Sequence, residues 1–351
     1  MNINDRQIVN LYKTKCNIYK QLELCAFDEI IAKLKENNIF YMEVAHRTKN
    51  VESLEEKIRK KSGKYKNLDD ITDLCGIRII CYFSDDVDKI GKIIEENFIV
   101  DIENSIDKRK AIQETSFGYL SLHMVCSLKP SSCENNEELV GKKFEIQIRT
   151  ALQHTWAEIE HDLGYKSEFG VPKKLRREFS RIAGLLEIAD GQFVSLRDNL
   201  NSYSDEIKRK IKDDEADEIE IDRISLEEYM KHNKSMDAFL NKISSETGAY
   251  IEYINPESYI EQLSWLGVET IGDLSRMLAT NEQLAAKMAI ERIKMAELDI
   301  VSTNTALRYI CRAELRQNNY TKEQIIRFLK IAIDDDARIE IYADRIINYK
   351  I

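Results

Sequence analysis

Phe144-Glu145-Ile146-Gln147-Ile148-Arg149 alternates apolar and polar side chains without a break. In an extended strand successive side chains point to opposite faces. Phe144, Ile146 and Ile148 therefore share one face, and Glu145, Gln147 and Arg149 share the other. Tyr119-Leu120-Ser121-Leu122-His123-Met124-Val125 repeats the pattern, with Leu120, Leu122 and Met124 on one side and Tyr119, Ser121 and His123 on the other. If these strands are neighbours, one face of a sheet is core. The other lines up an aromatic ring, an imidazole, a carboxylate, an amide and a guanidinium. A solvated face usually carries Lys, Glu and Thr instead, so the pattern marks a site.

Gly76-Ile77-Arg78-Ile79-Ile80-Cys81-Tyr82-Phe83 is short, β-branched and mostly apolar, which predicts a central strand. A further strand is expected over 40–46, with helices over 5–38, 51–61 and 87–98. The two alternating stretches predict strands over about 119–128 and 143–150. Helices and strands thus alternate through the first half, in an α/β or α+β domain.

Beyond residue 150 nearly everything reads as helix. Phe179, Ile182, Leu186, Ala189, Phe193, Leu196 and Leu200 are spaced as a heptad seam. That seam either packs back on the sheet domain or joins two chains through the helix over 175–200. The acidic run Asp213-Asp214-Glu215-Ala216-Asp217-Glu218 interrupts it. The expected organisation is a first domain over 1–212, an acidic linker over 213–224 and an all-helical domain over 225–351. In the last, Thr321-Lys322-Glu323-Gln324 reads as a capping box opening a helix.

Composition narrows the class. Among 351 residues, twelve Gly and three Pro are too few for the turns of a many-stranded sandwich. A formal net charge of −10 argues against a general DNA-coating protein, while leaving room for a local basic cleft. The seven Cys form no C-x-x-C pair, so neither a disulfide framework nor a zinc ribbon is indicated. No apolar run approaches the ~18 residues of a membrane helix, and the start MNINDRQIVN lacks the pattern of a signal peptide. A cytoplasmic location, away from membranes, is expected.

Two further elements carry chemistry. Asp73 stands just ahead of the predicted central strand, where a carboxylate can hold a hard cation through oxygen. Arg47, Lys49, Lys57, Lys60, Lys61, Lys64 and Lys66, with Ser53 among them, form a basic cluster suited to a polyphosphate. His154, Glu158 and His161 share a helix face that could recruit zinc, but the spacing is not H-E-x-x-H.

Taken together, Arg47-x-Lys49-x-x-x-Ser53-x-x-x-Lys57, Asp73-x-x-Gly76-x-Arg78, Gly118-Tyr119-x-Ser121-Leu122-His123, Glu145-Ile146-Gln147-Ile148-Arg149-Thr150 and His154-x-Trp156-Ala157-x-x-Glu160-His161 resemble the RelA/SpoT alarmone synthetase domain. The resemblance covers roughly residues 20–200, with the motifs in the family's order. It implies an α+β fold, a nucleotidyltransferase-like mixed sheet flanked by helices. It also implies transfer of the β,γ-diphosphate of ATP to the 3′-hydroxyl of GDP or GTP, making the alarmone (p)ppGpp.

Carried over by the same resemblance, Arg47 and Arg78 would sandwich adenine, and Lys49, Ser53 and Lys57 would hold the ATP phosphates. Asp73 and Glu145 would bind Mg²⁺, with Glu145 also taking the acceptor proton. Tyr119 would stack on the acceptor base, and His123, Gln147, Arg149 and His154 would line its site. Thr115-Ser116-Phe117 stands where the family often has Lys-Pro-Asn. The alternative is a toxin-type relative that pyrophosphorylates tRNA 3′ ends or adenine nucleotides and is neutralised by its own C-terminal domain.

Overall fold

The computed structural model describes residues 2–61, 63–107, 121–133, 136–160, 162–163 and 173–350. It divides into two compact units, Met1–Arg197 and Asp198–Ile351. Among the described residues no helix is long and apolar enough to cross a membrane.

The first unit opens with α1 (Ile3–Glu36), capped by Asn2, whose side chain accepts from the Asp5 amide at 2.7 Å. Ile8, Tyr12, Tyr19, Leu22, Ala26, Ile30 and Leu34 are buried along one stripe of it, as the helical period requires. Leu11 lies off the stripe and is exposed. Then follow β1 (Tyr41–Thr48), α2 (Val51–Lys60), β2 (Cys75–Cys81), α3 (Ser84–Asn97), β3 (Ile99–Asp107), β4 (Leu122–Ser127), β5 (Phe144–Thr150), α4 (Ala151–Glu160) and α5 (Lys173–Lys212).

The five strands form one mixed sheet in the order β1-β2-β5-β4-β3. Only β2 and β5 pair in parallel; the other three pairs are antiparallel. Ile77 and Ile79 on β2, Met124 and Cys126 on β4, and Phe144, Ile146 and Ile148 on β5 are buried in one core with α1 and α3. The alternation read from the sequence therefore holds: one face of the sheet is sealed by helices, and the other is free to carry polar groups. The fold is α+β, with helices flanking a mixed sheet.

No local pattern predicts β3. It is an edge strand whose apolar residues Ile99, Ile102 and Ile106 are exposed, and a bulge between Asp101 and Ile106 breaks its pairing with β4. Nor does the heptad seam on α5 form one buried stripe. Ile182, Phe193, Leu196 and Leu200 are exposed, whereas Ala183 and Asp190 are buried. Thr150 at the end of β5 donates to the Asp190 carboxylate at 2.7 Å, which sets the helix face turned inward.

The second unit contains α6 (Arg223–His232), α7 (Lys234–Thr247), β6 (Tyr250–Glu252), α8 (Ile260–Trp265), α9 (Ile271–Met295), β7 (Ile300–Ser302), α10 (Asn304–Gln317), α11 (Lys322–Lys330) and α12 (Asp336–Ile347). It is helical except for β6 and β7, three residues each, which pair in parallel. The capping box at Thr321 is present: the Gln324 amide donates to the Thr321 hydroxyl, and the Thr321 amide to the Gln324 side chain.

The acidic stretch expected as a linker is built into this unit. The Ile221 amide donates to Glu269 O and the Ile271 amide to Ile219 O, both at 2.8 Å. A Cβ at Gly272 would stand 2.6 Å from the Asp217 carbonyl oxygen, so only glycine admits this approach. The contact boundary falls instead at Arg197, within α5.

Candidate active site

Strand register decides which side chains meet. His123 lies opposite Gln147, and Gln147 opposite Arg78, so three polar side chains stand abreast on β4, β5 and β2. One step along, Glu145 is opposite Gly76, and Gly76 is opposite Arg47 on β1. A strand rises about 3.3 Å per residue, so alternate positions bring these two rows within reach of one another.

A hydrogen-bonded chain runs across this face. The Ser121 hydroxyl is 2.6 Å from His123 Nε2, and His123 Nδ1 is 2.7 Å from Glu145 Oε1. Gln147 Nε2 donates to Glu145 Oε2 at 3.3 Å, and Arg149 donates to Gln147 Oε1 at 2.7 Å. Arg149 is buried, and its Nε has no partner among the described residues. A buried donor without an acceptor is costly. Burial raises the Glu145 carboxyl, but the hydrogen bond and charge of His123, with Gln147, outweigh it and hold it below its ordinary value. The nearby Asp73 charge acts the other way.

Asp73, two residues ahead of β2, is gripped by two cations: Lys57 Nζ at 2.6 Å and Lys49 Nζ at 3.1 Å. Burial opposes its charge, yet the two ammonium groups keep its carboxyl below the usual range. Lys49 is fixed from behind, its carbonyl accepting from the buried Tyr12 hydroxyl. It leads into Asn50, whose side chain caps α2 at the Ser53 amide, 2.7 Å away. Ser53 is exposed in the first turn of α2, and Lys57 follows one turn later.

At the other end, Arg78 pairs with Glu158 on α4 at 3.1 Å. His154 Nδ1 is 3.7 Å from the same carboxylate, too far for a hydrogen bond. Burial lowers the His154 imidazole below its ordinary value, and the Arg78 charge adds to this. The structure thus draws Arg47, Lys49, Ser53, Lys57, Asp73, Arg78, His123, Glu145, Gln147, Arg149 and His154 onto one face and its rim. Tyr119 lies outside the described residues, as does His161. Among the described residues no group of three or more His, Cys, Asp or Glu forms a metal cluster.

Sequence reasoning missed Glu158 as the partner of Arg78 and Asp190 as the anchor of α5. The signal for Asp190 was present: a lone carboxylate within an apolar helical stripe.

The arrangement is a mixed sheet that presents two carboxylates, Asp73 and Glu145, and a basic rim. The family described as the region found in RelA / SpoT proteins matches residues 46–169. Bacillus subtilis (strain 168) GTP pyrophosphokinase YjbM is 32% identical over 175 residues, covering 49% of this chain and 79% of that protein. GTP pyrophosphokinase YwaC from the same strain is 31% identical over 157 residues, covering 43% and 71%. The crystal structure of small alarmone synthetase 2 from Bacillus subtilis aligns with 26% identity and a TM-score of 0.45, over 54% of this chain and 98% of that one. The chain belongs to the RelA/SpoT family.

Proposed function

We propose that the chain transfers the β,γ-diphosphate of ATP to the 3′-hydroxyl of GDP or GTP, making (p)ppGpp. One observation carries this reading. A carboxylate held by His123 and Gln147 stands one strand away from a second carboxylate clamped by two lysines. The relatives that bear the name GTP pyrophosphokinase support it.

Phosphoryl-type transfer depends on positioning and charge neutralisation more than on covalent help from the protein. Lys49 and Lys57 already converge on one anion, Asp73, and would turn the same charges to the ATP phosphates beside Ser53. Arg47 and Arg78 would hold the adenine by guanidinium stacking. Asp73 and Glu145 are oxygen donors close enough to feel each other's charge, a donor set that fits a hard cation completed by substrate oxygens and water. Mg²⁺, when bound, supplies charge neutralisation at the β- and γ-phosphates.

Glu145 would accept the proton of the attacking hydroxyl, its carboxylate oriented by His123 and Gln147. Tyr119, His123, Gln147, Arg149 and His154 would line the acceptor side. The test is incubation of the purified protein with γ-labelled ATP and, separately, GDP, GTP, ATP or tRNA. Label on GDP or GTP is expected. Label confined to tRNA or to adenine nucleotides would reassign the acceptor.

A further inference from the structure

The second unit encloses a cavity of about 1090 Å³ between α9, α10 and α12, with β7 along one side. Its lining holds Arg292, Arg308, Arg312 and Arg345. Arg308 and Arg312 stand four residues apart on α10, where like charges repel. The Arg312 guanidinium lies 5.3 Å from the ring centre of Tyr309 and 5.2 Å from that of Tyr342, with Arg345 5.9 Å from Tyr342.

Two carboxylates, Glu291 and Asp344, share the lining and have partners other than these arginines. Glu291 accepts from the Tyr349 hydroxyl at 2.6 Å, and Asp344 pairs with Lys322 at 2.7 Å. Among the described residues, Arg292, Arg308, Arg312 and Arg345 form no ion pair with a carboxylate. Arg223, Arg276, Arg327 and Arg338 of the same unit each do. Four arginines without a carboxylate partner thus meet at one cavity. Burial pulls the Arg312 guanidinium below its ordinary value, and the positive charge of Arg308 adds to that pull.

Apolar side chains share this lining. Met295, Leu298 and Ile341 line the same cavity and are exposed. We infer that this cavity binds a nucleotide carrying two or more phosphates. Guanidinium forks match phosphate oxygens two at a time, the apolar side chains cover a base and ribose, and the volume suits a ligand of that size. The cavity is lined wholly by residues of the second unit and uses none from the sheet of the first.

The test is equilibrium dialysis of the full chain with GTP, ATP, pyrophosphate and adenosine, each alone. The background is Lys49→Ala/Lys57→Ala, which removes the ATP phosphate contacts proposed on the first unit and leaves its guanosine side in place. ATP therefore reports on this cavity, and GTP binding is read as the part lost with the cavity variants. This background is expected to bind one equivalent of ATP. Adding Arg308→Gln should weaken that binding about 10- to 100-fold, the effect of losing a charged hydrogen-bond donor. Arg308→Gln should also leave the melting temperature without ligand unchanged or higher, since it relieves repulsion with Arg312. Arg312→Lys, which keeps the charge but loses the fork, should weaken binding by a smaller factor in a folded protein. Pyrophosphate and adenosine should each bind more weakly than ATP. No bound equivalent of ATP, equal ATP affinity in the Arg308→Gln variant, or pyrophosphate binding as tightly as ATP would overturn the assignment.

Discussion

Replacing Glu145 by Gln separates what its carboxylate holds from what it does. Arg149 donates to Gln147 Oε1, which turns the Gln147 amide nitrogen toward Glu145 Oε2. His123 Nδ1 occupies the other carboxylate oxygen at 2.7 Å. In Glu145→Gln the new amide can keep its oxygen toward His123, but its nitrogen then faces the nitrogen of Gln147. Two donors meet, and one charged hydrogen bond is lost, costing about 1.5–3 kcal/mol. For a unit of this size that is a fall of about 3–12 °C in melting temperature.

Turnover should fall at least ~10²-fold, the scale of losing a positioned catalytic group. The double variant Glu145→Gln/Gln147→Glu decides between the two roles. The carboxylate introduced at position 147 would accept from Arg149 with one oxygen. Its other oxygen would accept from the amide introduced at position 145, restoring the chain. Stability should return to within ~1 kcal/mol of the parent, while turnover stays low because position 145 still lacks a base. Differential scanning fluorimetry and a labelled-transfer assay read the two quantities separately. A double variant that recovers activity would refute the chemical role of Glu145. One that melts as low as the single variant would refute the hydrogen-bond geometry.

Three further outcomes are expected. Asp73→Asn removes the partner of both Lys49 and Lys57, and turnover should drop at least ~10²-fold with the circular dichroism spectrum intact; near-normal turnover would sink its assignment as a cation ligand. Tyr119→Ala should raise the acceptor KM about 5- to 150-fold, the worth of one base–aromatic stack, with little change in the KM for ATP; equal effects on both substrates would mean that Tyr119 supports the sheet. His154 is held below its ordinary value of 6.5, so the unfolded chain takes up its proton first, and stability falls as pH drops below that value. Urea midpoints measured at neutral and at mildly acidic pH should therefore converge in His154→Gln relative to the parent, and an unchanged pH slope would count against the burial of His154.

The sequence spoke most clearly where one face of a strand is buried. On β4 and β5 the period of two fixed both the core residues and the polar row, because a slip of one residue would turn every side chain over. The polar row was legible even though strand order was not. The parallel pairing of β2 with β5, which sets Arg78 beside Gln147, is a long-range choice that no local pattern encodes. β3 stayed hidden because its exposed isoleucines carry no alternation, and its conformation is imposed by β4. On α5 apolar residues occur all around the helix, so spacing alone could not choose the inward face. The buried Asp190–Thr150 bond chose it. The acidic stretch at 213–218 read as a linker because charge runs usually are solvated, whereas here backbone amides and carbonyls tie it to the start of α9.

Mass spectrometry of the purified protein incubated with ATP, GDP and Mg²⁺ identifies both products of one reaction. Diphosphate transfer yields a guanosine nucleotide that has gained two phosphates at the 3′ position, together with an equal amount of AMP. ADP in place of AMP, or unmodified GDP after ATP has been consumed, would contradict it.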